Sequence, residues 1–436
     1  MDSAFGLSLI IVGLIFFFLA SGMWISVGLA GVGVIIIYFM IGSGMGGMIR
    51  MTQFNIINEF ILAAIPLFIF MGSMLYKGKI ADKIYTGLQS WVSLLPGGLL
   101  QTNILSCAVF GACSGSSLAG AATMGTMAIQ GLQQRGYNRK MIYGSLAAGG
   151  TLSSMIPPSI AFIVYGAWVG ESVGQLFIAG IIPGLILASL FMLYIAIAAL
   201  INPRVAPVME RPPLRRMIAD LKSLLPPILL IFTVLGSIYL GFATPTESAA
   251  VGSVMALILT AIDKNLSWRV IKEAGEMTVR TTSMVMLLII GAQIISMGVS
   301  MLRLPTLITE WVLSLNVDKI MIAFFICILY IILGCLIEGT CVLLLTLPVV
   351  YPLMMALDFD SIWLGVMMAL FIEMGLITPP VGLNLYIIHG VSGEPNMSHT
   401  VKGALPFFVC MCVLMVLLIF YPQIATYLPG KMYSVQ

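Results

Sequence analysis

The sequence predicts an all-α polytopic membrane protein of about ten spanning helices plus two re-entrant hairpins, arranged as an inverted repeat. Three observations predict it. The 436 residues are 60% hydrophobic and only 8% charged, whereas soluble domains carry about 25% charged residues. Apolar stretches near the roughly 18–20 residues that cross a bilayer recur along the whole chain, which indicates helices and not the weakly alternating strands of a barrel. A double proline also recurs at corresponding places in two apolar stretches, Pro157-Pro158 in "TLSSMIPPSIAFIVYG" (151–166) and Pro379-Pro380 in "GLITPPVGLNLYIIHG" (375–390), 222 residues apart.

Taken in order, residues 1–54 read as an N-terminal helical hairpin with spans at 5–20 and 24–41. Met1 to Phe5 lacks a basic n-region and the apolar run leads on to a second span, so a first span is expected, not a cleaved signal. The first repeat, 55–200, holds spans at 55–76, 141–168 and 176–200, with 100–132 left as a hairpin because "GACSGSS" (111–117) interrupts its centre. Residues 201–280 supply a cytoplasmic linker and scaffold helices, with spans at 224–241 and 246–262. The second repeat, 281–436, carries spans at 281–302, 361–390 and 404–425, and a second hairpin at 320–356 around "GCLIEGT" (334–340). If both hairpins are re-entrant, sixteen of the twenty Lys and Arg residues fall on one face and Arg50, Arg303, Lys319 and Lys431 on the other. The positive-inside rule makes the first face cytoplasmic and leaves both termini periplasmic.

Each half then runs span, amphipathic segment with Trp, hairpin, Pro-broken span, span. Trp91 answers to Trp311, the tip near Ser114 to Glu338-Gly339-Thr340, and "AGIIPGLI" (179–186) to "KGALPFF" (402–408). By the charge count the two units are inverted. Discontinuous helices in an inverted repeat are expected of a secondary transporter, whose site lies where the breaks meet. A break in the bilayer strands backbone N–H and C=O groups unless they line a polar cavity or bind something. Carbonyls at a half-helix C-terminus can ligate Na⁺, and N–H groups at an N-terminus attract an anion. Hydroxyls at Ser114, Ser116, Ser117, Thr151, Ser153, Ser154, Ser159, Thr340 and Thr378, with the Asn384 amide, add hard oxygen ligands. A Ser or Thr bonding its own helix is the bland alternative for each one.

Here the chain resembles the large membrane subunit (M, or DctM type) of tripartite ATP-independent periplasmic (TRAP) transporters. The resemblance is carried by "FGACSGSSLAGAATMG" (110–125), "RGYNRKMIYGSLAAGGTLSSMIPPSIAFIVYG" (135–166), "FIAGIIPGLILA" (177–188), "YLGFATPTESAAVG" (239–252) and "FIEMGLITPPVGLNLYI" (371–387). It implies an elevator-type, Na⁺-coupled importer of organic anions in the bacterial inner membrane. The implied partners are a small four-helix membrane subunit (Q type) and a periplasmic substrate-binding protein (P type). One Na⁺ site would lie at the first hairpin tip and the 155–159 break, a second at the other tip and the 375–380 break. The sodium- and substrate-binding set is then Gly111, Ser114, Gly115, Ser116, Ser117, Thr151, Ser153, Ser154, Met155, Pro157, Pro158 and Ser159, with Glu338, Gly339, Thr340, Gly375, Thr378, Pro379, Pro380 and Asn384. Two positions depart from the family pattern: Glu338 stands where many relatives have Asp, and Phe371 at a place often held by Asn.

Glu338 and Glu373 are acidic residues at membrane depth, where a carboxylate is a functional hypothesis by default. Either could ligate an ion or be held protonated in a hydrogen bond; Glu338 is favoured for a role near the site, and Glu373 is left open. Glu247 in "TPTES" is expected to cap the next helix with Thr244 or Thr246. His389 and His399 lack metal-ligand spacing, and the seven cysteines suit buried apolar positions. The basic segment "NPRVAPVMERPPLRR" (202–216) reads as a solvated linker, with no nucleic-acid role. No Walker A sequence, G-x-S-x-G elbow or H-E-x-x-H pair is present, so neither ATP hydrolysis nor an enzyme is expected, and no cofactor beyond Na⁺ as coupling ion. A stand-alone ion-coupled antiporter or exporter of related fold is the alternative within transport; a membrane-embedded enzyme or a structural subunit fits less well.

Overall fold

The computed structural model describes residues 11, 13–14, 17–18, 21–207 and 213–432, and every described element is helical. The expected span at 5–20, residues 208–212 of the linker and the last four residues therefore lie largely or wholly outside the described residues. The chain begins with α1 (Ile25–Ile41) and α2 (Met45–Ile57). The first repeat continues with α3 (Ala64–Lys77), α4 (Ile80–Val92), α5 (Leu99–Ser114), α6 (Ser117–Gln134), α7 (Arg139–Met155), α8 (Ile160–Val169) and α9 (Val173–Ile201). Next come α10 (Leu214–Tyr239), α11 (Pro245–Ile262) and α12 (Trp268–Met301). The second repeat then holds α13 (Leu304–Ser314), α14 (Lys319–Gly334), α15 (Gly339–Ala356), α16 (Ser361–Leu376), α17 (Leu383–Ser392) and α18 (Ser398–Phe420), and α19 (Gln423–Met432) closes the chain.

Eight helices among the described residues are long and apolar enough to cross a membrane. Seven answer to expected spans. The eighth, Gly339–Ala356, was expected as one arm of a hairpin; its apolar character runs unbroken through Pro348 and Pro352. Two expected spans fall short of that length. Ile25–Ile41 has 17 residues, and 361–390 divides into α16 and α17 at its prolines. Eight spans therefore pass by length and composition among the described residues, and the expected span at 5–20 lies largely outside them. Both hairpins form where "GACSGSS" and "GCLIEGT" interrupt the apolar run, between α5 and α6 and between α14 and α15.

The repeat is written in the backbone as well as in the sequence. Left-handed residues recur at Lys79 and Arg303, at Gly136 and Asp358, and at Gly170 and Gly393; the proline pairs are cis in both halves. Helix N-caps recur too. Asn138 caps α7 and Asp360 caps α16, while Ser116 caps α6 and Glu338 caps α15. The amphipathic α4 lies along α10, where the Trp91 indole N–H donates to Met217 O at 2.9 Å and Ser90 bonds Asp220. Glu247 takes its expected place in a capping box, accepting from Thr244 N at 2.8 Å.

Helix α3 packs on α11 and α12 and also touches α5. Helix α7 is enclosed by α5, α6 and α18, and all of Met141 to Met155 is buried. The broken helix is therefore the centre of its half, and the first hairpin tip reaches it.

Candidate functional site

Helix α7 stops at Met155 because Pro157 and Pro158 cannot donate the next helical bonds. The chain resumes at Ile160 after Ser159, which is extended and makes no side-chain cap. The first hairpin tip is held against this gap by one backbone bond, Ile160 N donating to Gly115 O at 3.3 Å. Gly115 sits at φ +65°, and a Cβ there would lie 2.7 Å from Pro158 O. Beside it the hydroxyls of Ser114 and Ser159 are buried and have no hydrogen-bond partner. Below the tip α5 and α7 touch backbone to backbone: a Cβ on Gly111 would lie 2.4 Å from Ser153 Cα.

The second half repeats this construction. Helix α16 ends at Leu376, and α17 starts at Leu383. Gly382 N donates to Cys335 O of the second tip at 3.1 Å. Gly375 meets Gly334 as Ser153 meets Gly111, with a Cβ on Gly375 falling 2.7 Å from Gly334 Cα. Each half thus has one close crossing and one tip-to-break backbone bond. The two breaks differ in exposure: Pro157 and Pro158 are buried, Pro379 and Pro380 exposed.

The expected residues separate into groups. Ser114, Gly115, Pro158 and Ser159 converge at the first break. Ser116 is half-buried and caps α6 through Ala119 N at 3.4 Å. Together with Ser114 it lines a cavity of about 100 Å³ that is walled by Gly72, Ser73 and Tyr76 of α3 and by Met277 and Thr281 of α12. Thr151 and Thr378 instead bond their own helices, at Ala148 O and Met374 O, both at 2.6 Å. The carbonyl of Met155 faces α9, 2.8 Å from where a Gly180 Cβ would be. Glu338 caps α15, accepting from Cys341 N at 3.2 Å and from the Thr340 hydroxyl at 3.0 Å. Gly339 is pressed on Ile372, 2.2 Å from its own would-be Cβ to Ile372 Cγ2.

Glu373, left open by the sequence, is 2% exposed and joins the halves. Its Oε2 accepts from the Ser117 hydroxyl at 2.7 Å, and Ser154 is a further side-chain partner. Asn384 Nδ2 donates to Ser117 Oγ at 2.9 Å and to Ala147 O at 3.3 Å, while its Oδ1 is buried without a partner. The signal for Glu373 was a carboxylate in an apolar stretch six residues before a double proline. Its partner in the other half could not be read from one-dimensional spacing.

Residues 12–424 match the family described as "Tripartite ATP-independent periplasmic transporter, DctM component". The chain is 35% identical to the C4-dicarboxylate TRAP transporter large permease protein DctM of Pseudomonas aeruginosa, over 86% of this chain and 88% of that one. It is 31% identical to the sialic acid TRAP transporter large permease protein SiaM of Vibrio cholerae, over 86% and 87%. The isethionate TRAP transporter permease protein DctMQ of Oleidesulfovibrio alaskensis shares 30% identity over 95% of this chain and 65% of its own length. Among solved structures, the YdaH transporter of Alcanivorax borkumensis has a like fold, with TM-score 0.62 at 15% identity, covering 88% of this chain and 89% of that one. A multi-pass inner-membrane protein and no enzyme, this chain belongs to the DctM family, the large permease subunits of TRAP transporters.

Proposed function

We propose that the chain is the translocating subunit of a Na⁺-coupled importer for an organic anion, a carboxylate or sulfonate. One observation carries this reading: three buried oxygens without partners, Ser114 Oγ, Ser159 Oγ and Asn384 Oδ1, lie at or beside the paired breaks. An unpaired buried hydroxyl or amide costs on the order of 1–3 kcal/mol, so such oxygens are retained where they bind something. Hydroxyl, amide and backbone carbonyl oxygens form a hard donor set that suits Na⁺, as the carbonyls of discontinuous helices do elsewhere. The bound ion would supply positive charge at the site. Ser114, Ser159 and the tip carbonyls would hold it at the first break, and the corresponding tip and break of the second half would hold another.

No Lys or Arg falls in the centre of a proposed span. The anion would therefore be met by helix N-terminal N–H groups and hydroxyls. Relatives named for C4-dicarboxylates, sialic acid and isethionate fit carboxylates and a sulfonate as the class. On this reading the tips and broken helices move together, in elevator fashion, past α3 and α12. Substrate arrives from a periplasmic binding protein of P type, a four-helix subunit of Q type completes the assembly, and both termini face the periplasm.

The test is uptake into proteoliposomes holding the assembled membrane subunits, with a C4-dicarboxylate, sialic acid or isethionate offered on its binding protein. Uptake is expected only with Na⁺ and binding protein on the substrate side. Equal uptake in choline buffer contradicts the coupling. Equal uptake without the binding protein points to the stand-alone antiporter or exporter instead.

A further inference from the structure

We infer that Glu373 is a positioning residue that couples the two ion sites, by holding the first hairpin in register with the second break. The inference rests on the two-site reading above and adds the link between the sites.

Four helix ends meet around this carboxylate and its donor Ser117. Ser117 begins α6 just beyond the first tip, and Ser154 lies in the last turn of α7 before the first break. Glu373 lies in the last turn of α16 before the second break, and Asn384 opens α17 after it. The chain of donors has one direction. The Asn384 amide donates to Ser117 Oγ at 2.9 Å, and the Ser117 hydroxyl donates to Glu373 Oε2 at 2.7 Å. The second Asn384 bond, to Ala147 O, fixes the amide to α7. Ser117, Glu373 and Asn384 are 4%, 2% and 0% exposed, so these bonds form out of water, where they are stronger and costlier to break.

The link is unmatched in the other half. At the repeat spacing of 222 residues, Glu373 answers to Thr151, Ser117 to Gly339 and Asn384 to Phe162. Thr151 bonds its own helix, Gly339 has no side chain, and Phe162 is apolar and fully buried. The first break nevertheless forms, with its own tip bond and close crossing. A repeat can thus be built without such a link, and the role left to Glu373 is between the halves. Displacing the first tip pulls on Ser117, and through Glu373 and Asn384 on both helices that flank the second break. Two sites joined by an element that both bias are coupled reciprocally.

The test is equilibrium binding of ²²Na⁺ to the full chain in lipid nanodiscs at constant ionic strength, with no organic substrate. The parent is expected to bind with a Hill coefficient above one. Glu373→Ala is expected to bring it to about one and to weaken affinity on the order of ten-fold. Glu373→Gln, which keeps an acceptor for Ser117, is expected to restore the parent curve. A Glu373→Ala curve as cooperative as the parent overturns the coupling and leaves the two-site reading standing. Equal loss in Ala and Gln also overturns it, since charge and not the hydrogen bond would then matter. A parent Hill coefficient of one overturns the coupling, whereas saturation at one Na⁺ per chain overturns the two-site reading with it. Where the Ala variant fails to fold, Glu373→Met, which keeps the volume and removes the acceptors, is held to the same outcomes.

Discussion

Ser114 and Ser116 stand two residues apart at one hairpin tip and differ in what they touch. The Ser114 hydroxyl is buried and unpartnered, whereas Ser116 caps α6. Ser114→Ala should therefore raise the Na⁺ concentration for half-maximal uptake by roughly ten-fold, as loss of a bond to a charge of about 1.5–3 kcal/mol implies, with little change in thermal stability. Ser116→Ala should lower stability by about 1 kcal/mol through the lost cap. Ser189, whose hydroxyl bonds Leu185 O of its own helix at 2.8 Å, should tolerate alanine in both assays. Na⁺-dependent uptake beside thermal unfolding separates the three, and an unchanged Na⁺ response in Ser114→Ala would remove it from the site. Residue types at the breaks were legible in the sequence because polar groups in an apolar run stand out. Their partners were not. Thr151 and Thr378 look like Ser114 in the sequence but bond their own helices, and Glu373 shows its part only once Ser117, 256 residues away, is beside it.

At the scale of elements, the close crossings of α5 on α7 and α14 on α16 set the hairpins on their breaks. Gly111→Ala would put a methyl 2.4 Å from Ser153 Cα, and Gly375→Ala one 2.7 Å from Gly334 Cα. Backbone cannot yield as a flexible side chain can, so each should destabilise by about 1–3 kcal/mol and lower uptake. A melting temperature unchanged in both would show that the crossings are looser than described. A polar clamp ties the start of α7 to the segment between α17 and α18. Glu394 Oε2 accepts from Tyr143 OH at 2.9 Å and from Arg139 at 3.0 Å, and His399 Nδ1 lies 3.4 Å from Oε1. The Tyr143 hydroxyl, helped by Arg139 and His399, holds the Glu394 carboxyl below the usual range. The stabilisation from this group is thus fully present above the unfolded value of about 4.3 and lost as pH falls through the lower folded value. Thermal unfolding from pH 7 downward should show an acid-sensitive component that is absent in Glu394→Gln; an identical profile in the two proteins would show that the clamp does not respond to pH. Element boundaries at the breaks were readable because proline and glycine impose them. Span lengths were less so, since Gly339–Ala356 is as apolar as a crossing helix and only its place after a tip marks it as half of a hairpin.

At the scale of the whole molecule, two halves of matching backbone specify one centre. The match extends from left-handed residues at Lys79 and Arg303 to tip-to-break bonds at Gly115–Ile160 and Cys335–Gly382. The order of segments was visible in one dimension, because the double prolines, tryptophans and hairpin glycines keep their spacing. How the halves interlock was not, because α7 meets α18, and Ser117 meets Glu373, through contacts that no local pattern encodes. The central claim is that the two breaks are themselves the site. Their prolines prevent helix bonds that would otherwise satisfy the backbone groups there. The direct measurement is Na⁺-driven uptake beside thermal stability for Pro157→Ala/Pro158→Ala and Pro379→Ala/Pro380→Ala. In each double variant the helix should regain backbone bonds, so stability should rise by up to about 3 kcal/mol while uptake falls at least ten-fold. Uptake at the parent rate in both would contradict the claim.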